Sequence, residues 1–411
     1  MKLIGKFDIR ELAERFGTPL YVYDKEKIVA NYNKLYLSFS RYFKKFSIHY
    51  SVKANSNIHI LEVLRSLGAG ADCSSPFELR LALLAGFKPE KIVYTGNYES
   101  LEDLEYVSQH NVSINLDDIT SFWRLKKVTN PEFVSFRVNP GIGKGGFEGI
   151  TTGGADAKFG VPYEMLYQAY SDAKASGVKR FGIHIMTGSN ILEPFYFAEV
   201  LEKLMRISGR IFKELQIKPE YIDIGGGLGV PYTDEDMELD IETSVRLLSE
   251  VFFEYIERYD LGLPELKIEP GRFLVANAGY LVCKVTGIKN GYKKFIGLDA
   301  GMNILIRPAL YGATHRVKIY GKDGVVQMVQ ICGQICENSD ILGKNVPVPE
   351  IVEGDIAIFL DVGAYCFSMA SSYNGRPLPA EVLVDDNSVM EIRRRQTFED
   401  FVSSMILTHL D

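Results

Sequence analysis

The sequence predicts an α/β chain: a closed parallel (β/α)8, TIM-like barrel followed by a C-terminal all-β domain, a sandwich or small barrel. Three observations lead there. Eight short runs rich in Val, Ile, Tyr and Phe alternate with helix-patterned stretches between Ser47 and Glu269, a repeat that fits a parallel barrel. Unusual polar residues fall at the ends of these runs, where a barrel carries its chemistry. After Arg272 the long helical patterns stop and short strand patterns follow one another, the texture of an all-β domain. An open doubly wound sheet is the competing arrangement for the first part.

In chain order, a short helix at Ile9–Phe16 and an extended Pro19–Tyr23 come first, and residues 1–24 are expected to pack on the β domain. The barrel is expected over residues 25–275 and the β domain over 276–411. The eight barrel strands are predicted at Ser47–Lys53, Gly70–Cys73, Ile92–Thr95, Val112–Leu116, Phe133–Asn139, Gly182–Met186, Tyr221–Gly225 and Leu266–Glu269. Apolar side chains at helical spacing mark Ile58–Leu67, Phe77–Ala85, Tyr163–Ala175, Tyr196–Phe212 and Ile241–Tyr259 as helices. Five strands are predicted afterwards: Phe273–Ile288, Lys294–Leu298, Val317–Tyr320, Gly324–Gln330 and Asp355–Phe359.

Composition narrows the function classes. Of 411 residues, 46% are hydrophobic and 24% charged, enough apolar surface to exclude disorder as the main state. The net charge of −7, without a long basic run, argues against nucleic acid or an anionic membrane as principal partner. No stretch is apolar enough to span a bilayer, and Met1–Arg10 lacks the apolar core of a signal peptide. Five cysteines, an odd number, are read as free thiols in a reducing cytoplasm. Cys332 and Cys336 are four apart, but no second Cys or His pair completes a zinc site, so no metal is expected.

The strand ends carry the candidate chemistry. Lys53 ends the first predicted strand, Asp72 lies in the second, and Glu269-Pro270-Gly271-Arg272 ends the eighth. Gly225-Gly226-Gly227-Leu228-Gly229 follows the seventh. A loop without side chains lets backbone N–H groups approach a phosphate closely, and Arg272 adds a guanidinium beside it. The run does not fit GxxxxGK[ST] or GxGxxG at a first βα turn, which sets aside nucleoside triphosphates and dinucleotides. A tight turn alone would also explain the glycines. Burial lowers a lysine pKa and frees the amine to attack a carbonyl, although a strand-end lysine is also an ordinary place for an ion pair. An amine, a phosphate cradle and the Glu269 carboxylate are the parts that pyridoxal phosphate needs.

From about Gly17 to about Arg395 the chain resembles the diaminopimelate decarboxylases, in the fold group of ornithine decarboxylase and alanine racemase. The matching pieces are Tyr50–Asn55, Arg137–Gly141, Lys158-Phe159-Gly160, Gly225–Gly229, Glu269–Arg272, Asp299–Asn303, Arg307–Tyr311, Cys336-Glu337 with Asp340, Gly363-Ala364-Tyr365, Ser368–Ser371 and Tyr373-Asn374. Each is weak alone; their order is specific, and Arg307–Tyr311 favours the diaminopimelate branch. The resemblance implies a lyase of lysine biosynthesis that uses pyridoxal 5'-phosphate, held on Lys53 as an imine. It implies that Glu269 faces the pyridine nitrogen, and that Gly225, Gly226, Gly227, Arg272 and Tyr365 hold the phosphate, with Asp72, Ser189 and Gly271 also at the cofactor.

It further implies a homodimer with shared sites. Cys336, a proton donor, and Glu337 would then come from the neighbouring subunit, and Lys158 would pair with Asp340 across chains. Meso-2,6-diaminopimelate carries an ammonium and a carboxylate at its far end; Arg307 with Tyr311 suits the carboxylate, Glu337 the ammonium, and Arg272 and Tyr365 also face substrate. The competing roles are bracing of the dimer for Arg307 and a packed thiol for Cys336.

One position departs from the family pattern. Where His-Ile-Gly-Ser-Gln is usual, this chain has Met186-Thr187-Gly188-Ser189-Asn190, so Met186 is expected against the cofactor ring in place of an imidazole. A thioether packs on an aromatic face but carries no charge. Asn338-Ser339 stand where Ser-Gly is common, and the glycine-rich Gly141–Ala157 suits a flap. Met186 keeps open a related decarboxylase acting on ornithine, arginine or a carrier-bound aminoacyl group. A non-catalytic barrel with a binding role is the third reading, which intact Lys53 and Cys336 oppose.

Overall fold

The structure, a computed structural model, describes residues 1–141, 143–145, 153–154 and 156–406. It divides into two compact units, one formed by Val29–Pro231 with Met237–Leu274, the other by Met1–Ile28, Tyr232–Asp236 and Val275–Asp411. Among the described residues no helix is long and apolar enough to cross a membrane.

The first unit is a closed barrel of eight parallel strands. Phe46–Ser51 pairs with Gly70–Cys73, which continues to Ile92–Thr95, Ser113–Leu116 and Phe133–Asn139. Arg180–Ile185, Tyr221–Asp223 and Glu265–Ile268 complete the circle, the last pairing back onto Phe46–Ser51. The helices between strands start on local signals. Asn57, Ser75, Asp118 and Asp240 each accept a backbone N–H at a helix N-terminus, and Ser100 with Asp103 forms a reciprocal box. Such caps satisfy amides that the helix itself leaves unpaired.

The second unit is β-rich. Leu20–Asp24 lies between Gly279–Asn290, antiparallel, and Ala380–Val384, parallel. Val389–Arg393 pairs outside Ala380–Val384. On the other side Gly279–Asn290 pairs with Lys294–Leu298, followed by Gln327–Cys332 and Ile341–Val348, while Ile356–Phe359 links Gly279–Asn290 to Val317–Ile319. Ile4, Ile9, Leu12, Leu20, Val22, Val282, Ile358 and Val382 form its core, so the N-terminal segment buries its apolar side chains within this unit.

Several boundaries differ from the sequence pattern. The first barrel strand stops at Ser51, and Val52–Ala54 turns as one 3-10 turn carrying Lys53. Ser51 is tied down there: its N–H reaches the Pro270 carbonyl at 3.3 Å, and its Oγ sits 2.9 Å from Asp72 Oδ2 and from the Glu269 carbonyl. The predicted strand from Phe273 begins only at Gly279, because Arg272–Val275 and Ala276–Ala278 are helical. A fully buried apolar run has no face to reveal its period. Strands Ile341–Val348, Ala380–Val384 and Val389–Arg393 were not anticipated. The proposed flap lies partly outside the described residues, at 142, 146–152 and 155.

Candidate active site

The polar side chains predicted at the barrel mouth converge. Lys53 Nζ donates to Asp72 Oδ2 at 2.5 Å and lies 3.4 Å from Ser74 Oγ. Asp72 is wholly buried while the lysine side chain is 42% exposed, so a buried carboxylate anchors the amine of a side chain that is open to solvent. Burial and the neighbouring Glu269 raise the Asp72 carboxyl, against the pull of Lys53.

Glu269 sits at the end of the eighth strand, 4% exposed. Burial alone would raise its pKa. The His184 imidazole, whose Nε2 lies 3.1 Å from Oε2, outweighs that with help from Lys53 and His49, and holds the carboxyl at about 2. Glu269 therefore stays a carboxylate, and its other oxygen, Oε1, is buried without a hydrogen-bond partner among the described residues. Such an atom calls for a donor.

The glycine turn is pinned to the same place. Gly225 donates its N–H to Asp223 Oδ1 at 2.9 Å, and its carbonyl accepts the Glu269 N–H at 2.7 Å. Gly225 has φ +68°, and a Cβ on it would fall 2.5 Å from the Ile185 carbonyl oxygen; on Gly226 it would fall 2.4 Å from the Glu269 carbonyl oxygen. Only glycine allows both that backbone sign and that approach. Met186 Sδ accepts the Gly226 N–H at 3.2 Å, so the residue standing in the usual histidine position braces the turn. Arg272, 6% exposed, donates to Ser189 Oγ at 3.0 Å, and Gly271 caps the same segment by accepting the Leu274 N–H at 3.1 Å.

These residues fit pyridoxal phosphate. Lys53 provides a primary amine, the unpartnered Glu269 Oε1 suits a ring N–H, and the glycine turn with Arg272 suits a phosphate. His184, Asp223 and Glu269 also bring one ligand atom each within 4.8 Å, a spacing that a cation can use.

The β-rich unit holds the remaining candidates in separate clusters. Arg307 opens the short helix Arg307–Tyr311, with Pro308 in its first turn and left-handed Gly312 ending it. The residue is 2% exposed; its guanidinium Nη1 donates to His315 Nε2 at 3.0 Å, and the group lies 4.5 Å from the centre of the Tyr232 ring. Cys336 is exposed, its N–H bonded to Asn374 Oδ1 at 2.9 Å. Next to it Glu337 accepts from the Tyr373 hydroxyl, and from Ser339 Oγ at 3.0 Å; the Tyr373 bond is the main reason its carboxyl lies below the usual range. Asp340 is buried and accepts the N–H groups of Met302 and Ile335 at 2.6 and 2.7 Å. Tyr365 adopts φ +56°.

Four contributors were not singled out by sequence reasoning: Asp223, Tyr232, His315 and the bond from His184 to Glu269. Asp223 carried a signal, since it lies two positions before the glycine run, within a predicted strand. Tyr232 and His315 carried none.

Comparison with known proteins agrees with this chemistry. The family model described as pyridoxal-dependent decarboxylase, pyridoxal binding domain, matches residues 28–276. The diaminopimelate decarboxylase of Methanothermobacter thermautotrophicus is 42% identical, over 97% of this chain and 94% of the relative. That of Thermoplasma acidophilum is 39% identical, over 98% and 96%. The crystal structure of diaminopimelate decarboxylase from M. jannaschii in co-complex with L-lysine superposes with a TM-score of 0.91 at 34% identity, covering 98% of this chain and 95% of that one. With the pyridoxal-binding family model matched over residues 28–276 and relatives aligned along nearly its whole length, the chain belongs to the diaminopimelate decarboxylase family of pyridoxal-dependent decarboxylases.

Proposed function

We propose that the protein removes CO2 from meso-2,6-diaminopimelate to give L-lysine, the last step of lysine biosynthesis. The carrying observation is Arg307: a buried guanidinium with no carboxylate within 4.0 Å among the described residues. A buried cation is costly without an anion, and this substrate brings a second, distal carboxylate that a simple diamino acid such as ornithine lacks. Relatives of that name support the reading.

Lys53 holds the cofactor through its amine, and Asp72 orients that amine. When bound, pyridoxal phosphate supplies an electron sink for the pair left behind as CO2 departs. Glu269, kept ionised by His184, presents Oε1 to the ring nitrogen and favours its protonated form. Gly225, Gly226, Gly227, Arg272 and Tyr365 would hold the phosphate, with Gly271 also at the cofactor; Ser189 orients Arg272, and Met186 would pack against the ring. Arg307 and Tyr311, with Arg272 and Tyr365, receive the distal carboxylate, and Glu337 the distal ammonium. Cys336 Sγ delivers the proton to the carbon that has lost CO2.

The assembly is a homodimer in which each site takes Cys336 and Glu337 from the other subunit, with Lys158 of one chain paired to Asp340 of the other. The exposure of Cys336 and Glu337 supports this. Five free cysteines support a cytoplasmic location. A CO2-release panel with meso-diaminopimelate, ornithine and arginine, run beside cofactor absorbance, tests the function. Turnover of diaminopimelate alone is expected; turnover of another substrate with none of diaminopimelate would refute it.

A further inference from the structure

We propose that His315 and Tyr232 are positioning residues for carboxylate recognition, clamping the Arg307 guanidinium from its edge and its face. The inference rests on the reading of Arg307 as the carboxylate-binding group and names what makes it specific.

The tautomer of His315 follows from its partners. Nδ1 lies 3.1 Å from the Leu360 carbonyl, which only accepts, so Nδ1 carries the hydrogen. Nε2 faces Arg307 Nη1 at 3.0 Å, which only donates, so Nε2 accepts. A neutral imidazole is thus fixed between a backbone carbonyl and a cation, and it consumes one N–H of the guanidinium. Among the described residues this is the guanidinium's one hydrogen bond to a side chain. The carboxylate of Asp361 acts on Arg307 at longer range and is itself forked by Arg316, at 2.7 and 3.1 Å.

Tyr232 closes the face. Its ring centre lies 4.5 Å from the guanidinium carbon and 5.3 Å from the His315 ring, edge-on at 86°. The residue belongs to a five-residue excursion, Tyr232–Asp236, that packs with the β-rich unit although the chain on both sides belongs to the barrel. The excursion is held internally: Asp236 Oδ2 accepts the N–H groups of Tyr232 and Thr233, both at 2.9 Å. Asp234 reaches Arg316 at 3.6 Å. Stacking an arginine on an aromatic ring fixes its plane without using a donor. With one face and one N–H taken, the remaining N–H groups keep a fixed direction for a planar, bidentate partner, which is a carboxylate.

The product L-lysine retains the carboxylate in question, and 1,5-diaminopentane is the same chain without it. Affinities of both, measured by calorimetry on cofactor-loaded protein, separate recognition from general damage. His315→Phe and Tyr232→Leu should each weaken lysine about tenfold and leave diaminopentane within about twofold. His315→Gln, which restores an acceptor, and Tyr232→Phe, which keeps the ring, should stay near wild type. His315→Phe combined with Arg307→Gln should bind lysine no worse than Arg307→Gln alone. If His315→Phe does not fold, Tyr232→Leu tests the same clamp from the other side. Lysine affinity unchanged in Tyr232→Leu while Arg307→Gln loses it would overturn the clamp but spare the Arg307 reading. Equal losses for both ligands would also overturn it, by showing a purely structural role. Unchanged lysine affinity in Arg307→Gln would overturn the reading underneath.

Discussion

Replacing His184 with Phe keeps a buried aromatic ring and removes the donor that faces Glu269. Oε2 then loses its 3.1 Å partner while Oε1 has none among the described residues. In the native protein the Glu269 carboxyl is held at about 2, against an ordinary 4.5. At about 1.4 kcal/mol per pH unit this difference corresponds to roughly 3 kcal/mol. That figure is a net of burial, His184, Lys53 and His49, with His184 the largest favourable contributor; removing one partner of a buried pair typically costs about 3–5 kcal/mol. The sign is that of a depressed carboxyl. Its contribution is complete above pH 4.5 and is lost as pH falls from there through about 2. Urea denaturation of cofactor-free protein at pH 7 should therefore show His184→Phe less stable by roughly 3 kcal/mol, with the gap narrowing below pH 4.5. His184→Gln, which retains an N–H donor, should recover most of it. A deficit at pH 7 under about 0.5 kcal/mol, or one that does not change with pH, would refute the assignment of His184 as the group that keeps Glu269 ionised. In the loaded enzyme the same variant should lose kcat with little change in KM, because the ring nitrogen then faces a carboxyl that is readily protonated.

Lys53→Ala should abolish both turnover and borohydride-trapped cofactor, read by mass spectrometry; full activity in that variant would contradict its role. Lys53→Ala and Cys336→Ala proteins, each inactive, should recover up to roughly one quarter of native activity when mixed and allowed to exchange, as random pairing in a twofold dimer with shared sites requires. No recovery despite demonstrated exchange would refute shared sites. Gly226→Ala places a Cβ 2.4 Å from the Glu269 carbonyl oxygen and should weaken pyridoxal phosphate by at least about tenfold in an absorbance titration, equivalent to about 1.4 kcal/mol of displaced backbone. Met186→Leu conserves volume but removes the sulfur acceptor from the Gly226 N–H, and a smaller, few-fold loss of cofactor affinity is expected.

The barrel was legible because its signals are local. Alternating apolar runs, apolar side chains at helical spacing such as those of Phe77–Ala85, and strand-end motifs such as Glu269–Arg272 are written in neighbouring positions. The β-rich unit was legible only in outline. Strands such as Ile341–Val348 carry Gly343, Lys344, Asn345 and Pro347 in a mixed exposure pattern, which hides a period of two. Buried helical turns at Arg272–Ala278 looked like strand for the opposite reason, having no exposed face at all.

By itself the sequence determined the alternation that closes the barrel and the residue types at its mouth: the amine of Lys53, the carboxylate of Glu269 and the glycines of the turn. It did so because chain neighbours set periodicity and backbone freedom. Only the tertiary structure decided which polar atoms meet. His184 reaches Glu269 across 85 positions, Met186 braces Gly226 across 40, and Tyr232 joins Arg307 by leaving the barrel unit for five residues. Pairings of that span leave no periodic trace, because they are selected by the packed geometry of strands and loops and not by the residues on either side.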